Sequence, residues 1–203
     1  MTQPMLASGF TPVTVQFSSL EKNRKGGKVV FVGLPGADGQ RQKILLQTPT
    51  MALPFGVSPY QDAATGEIQS YSLDASFRGS DTDPRVADFL AKMREMDEVM
   101  LDVAVANSKE WFGKPMSKEI VAEFHRKLVK DPANPQYAPV IKFKVQLQNG
   151  QPNAMFFDEK RQPCDIDYFT KGTTFKGIIE LDRIWFVNKV SSLFTRVRVW
   201  KLL

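Results

Sequence analysis

The residues best suited to chemistry lie near the end of the chain. Between Leu193 and Leu202 (LFTRVRVWKL), strand alternation groups Phe194, Arg196, Arg198 and Trp200 on one face. Thr195, Val197 and Val199 fall on the other. Guanidinium groups fit phosphates, and flat rings stack on unpaired bases at about 1–3 kcal/mol per base. Val140–Gln148 (VIKFKVQLQ) has the same logic. Ile141, Phe143, Val145 and Leu147 make an apolar face, and Lys142, Lys144, Gln146 and Gln148 a cationic, hydrogen-bonding one. Trp185, with Arg183 and Lys189, would extend such a platform, and Lys160, Arg161, Lys171 and Lys176 add charge around it. The bland alternative puts Phe194 and Trp200 in the core and turns Val197 and Val199 outward. One cationic face would remain even then, and it would still attract a polyanion.

Other constellations are weaker. Gly33–Gly39 (GLPGADG) lacks the Gly-Lys-Ser/Thr ending of a phosphate loop and reads as a hairpin turn. Asp62, Glu67 and Asp74 have no ligand spacing and read as solvated carboxylates. His125 is the only histidine and Cys164 the only cysteine, so histidine-pair and four-cysteine metal sites and an intrachain disulfide are excluded. His125 falls beside the inner face of a helix, a structural place, and has no nucleophile to serve. Asp165 and Asp167 beside Cys164 would raise its thiol pKa, the opposite of activation. No catalytic set, metal site or cofactor is expected. Met93, Met96 and Met100 offer either an adaptable partner groove or ordinary core packing, and Phe89 and Leu90 on the same helix favour the core.

The 203 residues favour one domain with a core that needs no disulfide. Net charge is +5, unevenly spread: residues 83–113 carry four basic and seven acidic side chains, residues 114–203 sixteen and nine. That asymmetry points to a polyanion partner on one side of the molecule. The first twenty residues lack charge, but Pro4, Pro12 and the absence of a basic start argue against a secretory leader. Pro49, Pro54 and Pro59 exclude a membrane helix from the uncharged stretch Ile44–Gln61.

The elements that must hold these residues follow from period and punctuation. Val13–Leu20, Lys28–Leu34, Lys43–Thr48 and Ser70–Arg78 read as strands, with part of the proline loop 49–60 extended. Tyr71, Leu73, Ala75 and Phe77 share one strand face. Asp83-Pro84 caps a helix that runs to about Asn107 on Val86, Phe89, Leu90, Met93, Met96, Met100 and Leu101. Ser108–Gly113 adds a turn, and a second helix is expected from Ser117 to Val129. Strands return at Val140–Gln148, Met155–Lys160, Thr174–Asp182, Arg183–Asn188 and Leu193–Leu202. The pattern predicts a mostly β chain with a helical insertion at about 83–130. Its best architecture is an OB-fold-like Greek-key β-barrel with extra strands and one or two helices between strands; sandwich topologies stay open.

Two segments resemble a known family. FKGIIELDRIWFVNKVSSLFTRVRVWKL (175–202) and KILLQTPTMALPFGVSPY (43–60) are similar to the single-stranded-DNA-binding proteins of nucleo-cytoplasmic large DNA viruses and related eukaryotic genomes. That family is similar in turn to the single-stranded-DNA-binding protein of T-seven-type phages. The resemblance implies an OB fold, no catalysis, and sequence-independent coating of unpaired DNA in replication, recombination and repair. By position, Ile184–Asn188 matches the family's penultimate strand. The implied place is inside the cell, at sites of DNA replication in the host nucleus or a cytoplasmic viral factory. RNA and replication proteins stand as further partners, a homodimer is left open, and no membrane is involved. The phage proteins also carry an acidic, aromatic-ended tail. Here no acid follows Asp182, which puts recruitment through such a tail in doubt. The rival reading is a protein-interaction or virion structural module that docks on the methionine-bearing helix or the Pro49–Pro59 loop.

Overall fold

A computed structural model describes residues 3–22, 27–37 and 39–186, and the backbone of 193–202. Seven strands of four or more residues appear among the described residues: β1 (Lys28–Pro35), β2 (Ile44–Gln47), β3 (Val57–Gln61), β4 (Ile68–Ser76), β5 (Val140–Gln148), β6 (Gly177–Phe186) and β7 (Leu193–Leu202). Helices α1 (Pro84–Ala106), α2 (Ser108–Phe112) and α3 (Lys118–Phe124) lie between β4 and β5.

Pairing fixes the architecture. The sheet runs β2–β6–β7–β5–β4; β5 and β7 are parallel and the other neighbours antiparallel. Just after β2, Met51–Ala52 bends round to meet β4 at Ala52↔Ser76, which joins the β2 end of this path to its β4 end. That is the Greek-key order of an OB-type barrel. β3 adds a strand outside β4, and its Pro59 is tolerated because β3 is an edge.

Several sequence expectations hold with their boundaries. β5 and β7 begin and end as the alternation predicts. In β5, Ile141, Phe143 and Val145 are at most 1% exposed, while Lys142 and Lys144 face solvent. Leu73, Ala75 and Phe77 are fully buried, and Tyr71 packs against the core. The Pro35–Gly39 turn is followed by Arg41–Gln42, which pairs back onto β1. Asp83 caps α1 by accepting from the Arg85 backbone N–H at 2.9 Å. Met93, Met96 and Met100 are 0–1% exposed, in one cluster with Phe89, Phe77 and Phe143. They are core residues, and they offer no groove for a partner.

Four expectations change. Met155–Lys160 shortens to Met155–Phe156, which pairs with β7, and a turn held by Asp158 follows it. Val13–Leu20 is not one strand. Pro12 starts a 3-10 turn, closed when the Val15 N–H donates to the Pro12 carbonyl at 3.1 Å, and only Gln16–Phe17 pairs with β1. The second helix stops at Phe124, short of Val129. His125 is drawn onto Asp97, the Leu128 and Val129 N–H groups follow it, and Val129–Lys130 pairs with β5. Finally, the expected strands Thr174–Asp182 and Arg183–Asn188, described as far as Phe186, are not split at Asp182. Thr174–Phe175 stands apart, and β6 runs unbroken through a bulge at Asp182–Arg183, marked by the register step from Leu181↔Val197 to Ile184↔Thr195. The extra residue lets β6 change partners, pairing with β2 before the bulge and β1 after it.

Candidate nucleic-acid interface

The outer face of β3, β4 and β5 is polar because each strand alternates and only one face meets the core. β4 supplies Ser70, Ser72 and Asp74 to it; β5 supplies Lys142, Lys144, Gln146 and Gln148. Register rows cross the three strands at Ser58–Ser72–Lys144 and at Tyr60–Ser70–Gln146. Exposed Ser58 and half-buried Ser72 therefore form a low strip between the β3 edge and the β5 lysines, while Ser70 beside Tyr60 is covered, at 2% exposed. Tyr60 rises from that edge, 63% exposed, with the Lys144 Nζ 5.7 Å from its ring centroid. Lys142 lies at the next position along and pairs with Asp74, Nζ to Oδ2 3.3 Å.

β7 continues the sheet. Its backbone register sets Arg198 between Lys144 on β5 and Glu180 on β6. Val197 and Val199 are the register partners of Leu181 and Ile179, both buried. Phe194 is opposite Trp185, and Arg196 and Trp200 occupy β7 on either side of Arg198. The side chains of Phe194, Arg196, Arg198 and Trp200, and all of Lys189, fall outside the described residues. Glu180 is 1% exposed, with Lys43 Nζ 3.3 Å from its Oε1, so a paired acidic side chain lies beside the basic rows.

The remaining predicted residues are dispersed. Arg183 sits at the bulge, its Nε 2.5 Å from the Asp182 Oδ2 and its guanidinium carbon 4.6 Å from the Phe31 ring centroid and 5.8 Å from that of half-buried Trp185. Lys160 and Arg161 occupy a tight turn organised by Asp158, whose Oδ1 accepts from the N–H groups of Lys160 and Gln162 at 2.9 and 2.8 Å. Glu159 is in the same turn, bonded to the Tyr168 hydroxyl at 2.7 Å, and that bond pushes the phenol up to about 12. Lys176 lines a cavity of about 210 Å³ with Arg85 and Asp88 at the start of α1, away from the β4–β5 face.

Other candidates resolve into local structure. Asp62 accepts from the Ala64 and Thr65 N–H groups at 2.8 and 3.1 Å, and those bonds lower its pKa. Burial is the main force raising the Cys164 thiol, helped by Asp158, Asp165 and Glu159. Buried His125 bonds through Nε2 to Asp97 Oδ1 at 3.1 Å. Among the described residues, no three His, Cys, Asp or Glu side chains converge to hold a metal, and no helix is long and apolar enough to cross a membrane.

Sequence reasoning missed Tyr60. It pairs with its surroundings only once β3 has docked on β4, and Pro59 masked the strand. Its signal was the short uncharged extended run that carries it.

Comparison with known proteins gives two findings. No curated protein matches the sequence. Among solved structures, the chain is similar to gp2.5, a single-stranded DNA binding protein encoded by bacteriophage T7. Identity is 16%, the match covers 79% of this chain and 85% of that one, and the TM-score is 0.47. The sequence profile of a family described as of unknown function, DUF5871, matches residues 85–201, which is more than half of the chain, and the chain belongs to that family.

Proposed function

We propose that this protein binds single-stranded DNA without catalysis, on the outer face of β4 and β5, and coats unpaired DNA in replication, recombination or repair. The observation that carries the reading is the pairing of exposed Tyr60 with Lys144 across the half-buried Ser72 of β4. A flat ring beside an ammonium, over small polar side chains, gives a base a stacking surface and its phosphate a counter-charge. OB-type barrels bind oligonucleotides on the face of their second and third strands, and β4 and β5 hold those places; this is a fold-level analogy. The register of Arg198 with Lys144 supports extending the basic row onto β7, with Arg196 on the same strand. Stacking by Trp200 and Phe194 belongs to the same reading, as does electrostatic help from Lys189, which falls between β6 and β7 in the sequence. Lys160, Arg161 and Lys176 would act at longer range, through the general field.

The test is anisotropy with labelled oligo-dT. Lys142→Gln combined with Lys144→Gln should weaken binding at least tenfold while the circular dichroism spectrum and thermal midpoint hold. Unchanged affinity in a folded double variant would refute this placement of the DNA.

A further inference from the structure

Phe55 is a large apolar side chain, 66% exposed, in a loop too well held to be displaying it by accident of mobility. Leu53 is fully buried; its N–H donates to the Thr173 carbonyl at 2.9 Å, and its carbonyl accepts from Gly172 at 2.8 Å. The Val57 N–H donates to the Phe169 carbonyl at 3.1 Å. Between them Gly56, at φ +70°, packs so closely on 169–171 that a Cβ there would lie 2.8 Å from the Lys171 nitrogen and 2.9 Å from the Thr170 carbonyl carbon. Phe55 is thus fixed at the tip of a turn clamped on both sides. The loop leads straight into β3, and Tyr60 is five residues on, at most ~18 Å away. Ile44–Gln61 carries no charged side chain. Lys144 stands at the Tyr60 end, and the exposed Lys171 is in the segment under Gly56 at the other.

We propose that Phe55 is a second stacking post for single-stranded DNA, with the strand leaving the β4–β5 face at Tyr60 and running along the β3 edge to Phe55 and Lys171. This rests on the functional reading above and extends it to a longer site. Charge fixes where the path stops. Tyr168, 41% exposed and next to Phe169, has its hydroxyl on Glu159, and there Asp158, Glu159, Asp165 and Asp167 outnumber Lys160 and Arg161, so the path ends at Lys171.

The experiment compares two lengths of oligo-dT, about 6 and about 16 nucleotides, the range of site sizes for one OB fold. Wild type, Phe55→Ala, Phe55→Trp and Tyr168→Ala are titrated against each. Phe55→Ala should weaken the long oligonucleotide about 5- to 150-fold, the loss of one stacked base, and leave the short one unchanged. Phe55→Trp should restore the long-oligonucleotide affinity and add tryptophan quenching seen only with that length. Tyr168→Ala should change neither. If wild type binds both lengths and Phe55→Ala changes neither, this proposal fails, the β4–β5 reading stands, and the loop is left to a protein partner. If wild type binds neither length, both fail.

Discussion

The Lys144 ammonium stands 5.7 Å from the centre of the Tyr60 ring, although 84 residues separate the two in sequence. Two strand pairings create the contact, β3 to β4 and β4 to β5, with the serines of β4 between. A double-mutant cycle tests whether the pair acts together on a ligand. Tyr60→Ala should weaken oligo-dT binding by about 1–3 kcal/mol, the worth of one stacked base. Lys144→Gln should weaken it and also flatten its salt dependence. The combined loss should differ from the sum of the single losses, since the residues touch.

Asp97 is buried in α1 and serves three groups at once: His125 Nε2 at 3.1 Å, the Leu128 N–H at 2.8 Å and the Val129 N–H at 3.3 Å. It ties the helical insertion to the segment that leads into β5. Asp97→Asn keeps the shape but sets an amide NH₂ against donors, and should cost about 2 kcal/mol or more of unfolding free energy in urea titration. DNA affinity of the folded fraction should be unchanged, because Asp97 touches none of the outer face.

The cap of α1 predicts an acid response. The Arg85 side chain, then its backbone N–H, pulls the Asp83 carboxyl down to about 2. That lies below the unfolded value of about 3.9, so the stabilisation is present above about pH 4 and lost as pH falls towards 2. Thermal midpoints taken from pH 5 to pH 2 should drop less steeply for Asp83→Asn, which still caps but cannot titrate.

Cys164 should be a sluggish thiol. Burial, and then the carboxylates of Asp158, Asp165 and Glu159, raise its pKa, so little thiolate exists at neutral pH. Iodoacetamide should label it more slowly at pH 8 than it labels a free cysteine. Faster labelling would contradict the described environment.

What the sequence makes legible follows the range of the forces involved. The alternation of β5 is a local signal, and it separates Lys142 and Lys144 from Ile141, Phe143 and Val145 as the structure does. The Asp83-Pro84 cap is equally local. Tyr60 needed two long-range pairings, and Asp97 needed to meet a loop 28 residues downstream, at His125. Arg183 and Trp185 are expected to extend the platform; strand alternation does not show the bulge of β6 that sets Arg183 against Asp182, Phe31 and Trp185. Val13–Leu20 alternates well enough for a strand, and Pro12 with its 3-10 turn overrides the pattern. Methionines on a helix could mark a groove or a core, and only packing shows that Met93, Met96 and Met100 are core.

The most direct test of the central claim is the salt dependence of oligo-dT binding by the intact protein, from about 50 to 200 mM. Binding through Lys142, Lys144, Arg196 and Arg198 releases counterions from about four phosphates, so log Kobs against log salt should fall with a slope near about −3 for a single strand, together with tryptophan quenching. A flat salt dependence, or no binding at 50 mM, would contradict the assignment of this face to single-stranded DNA.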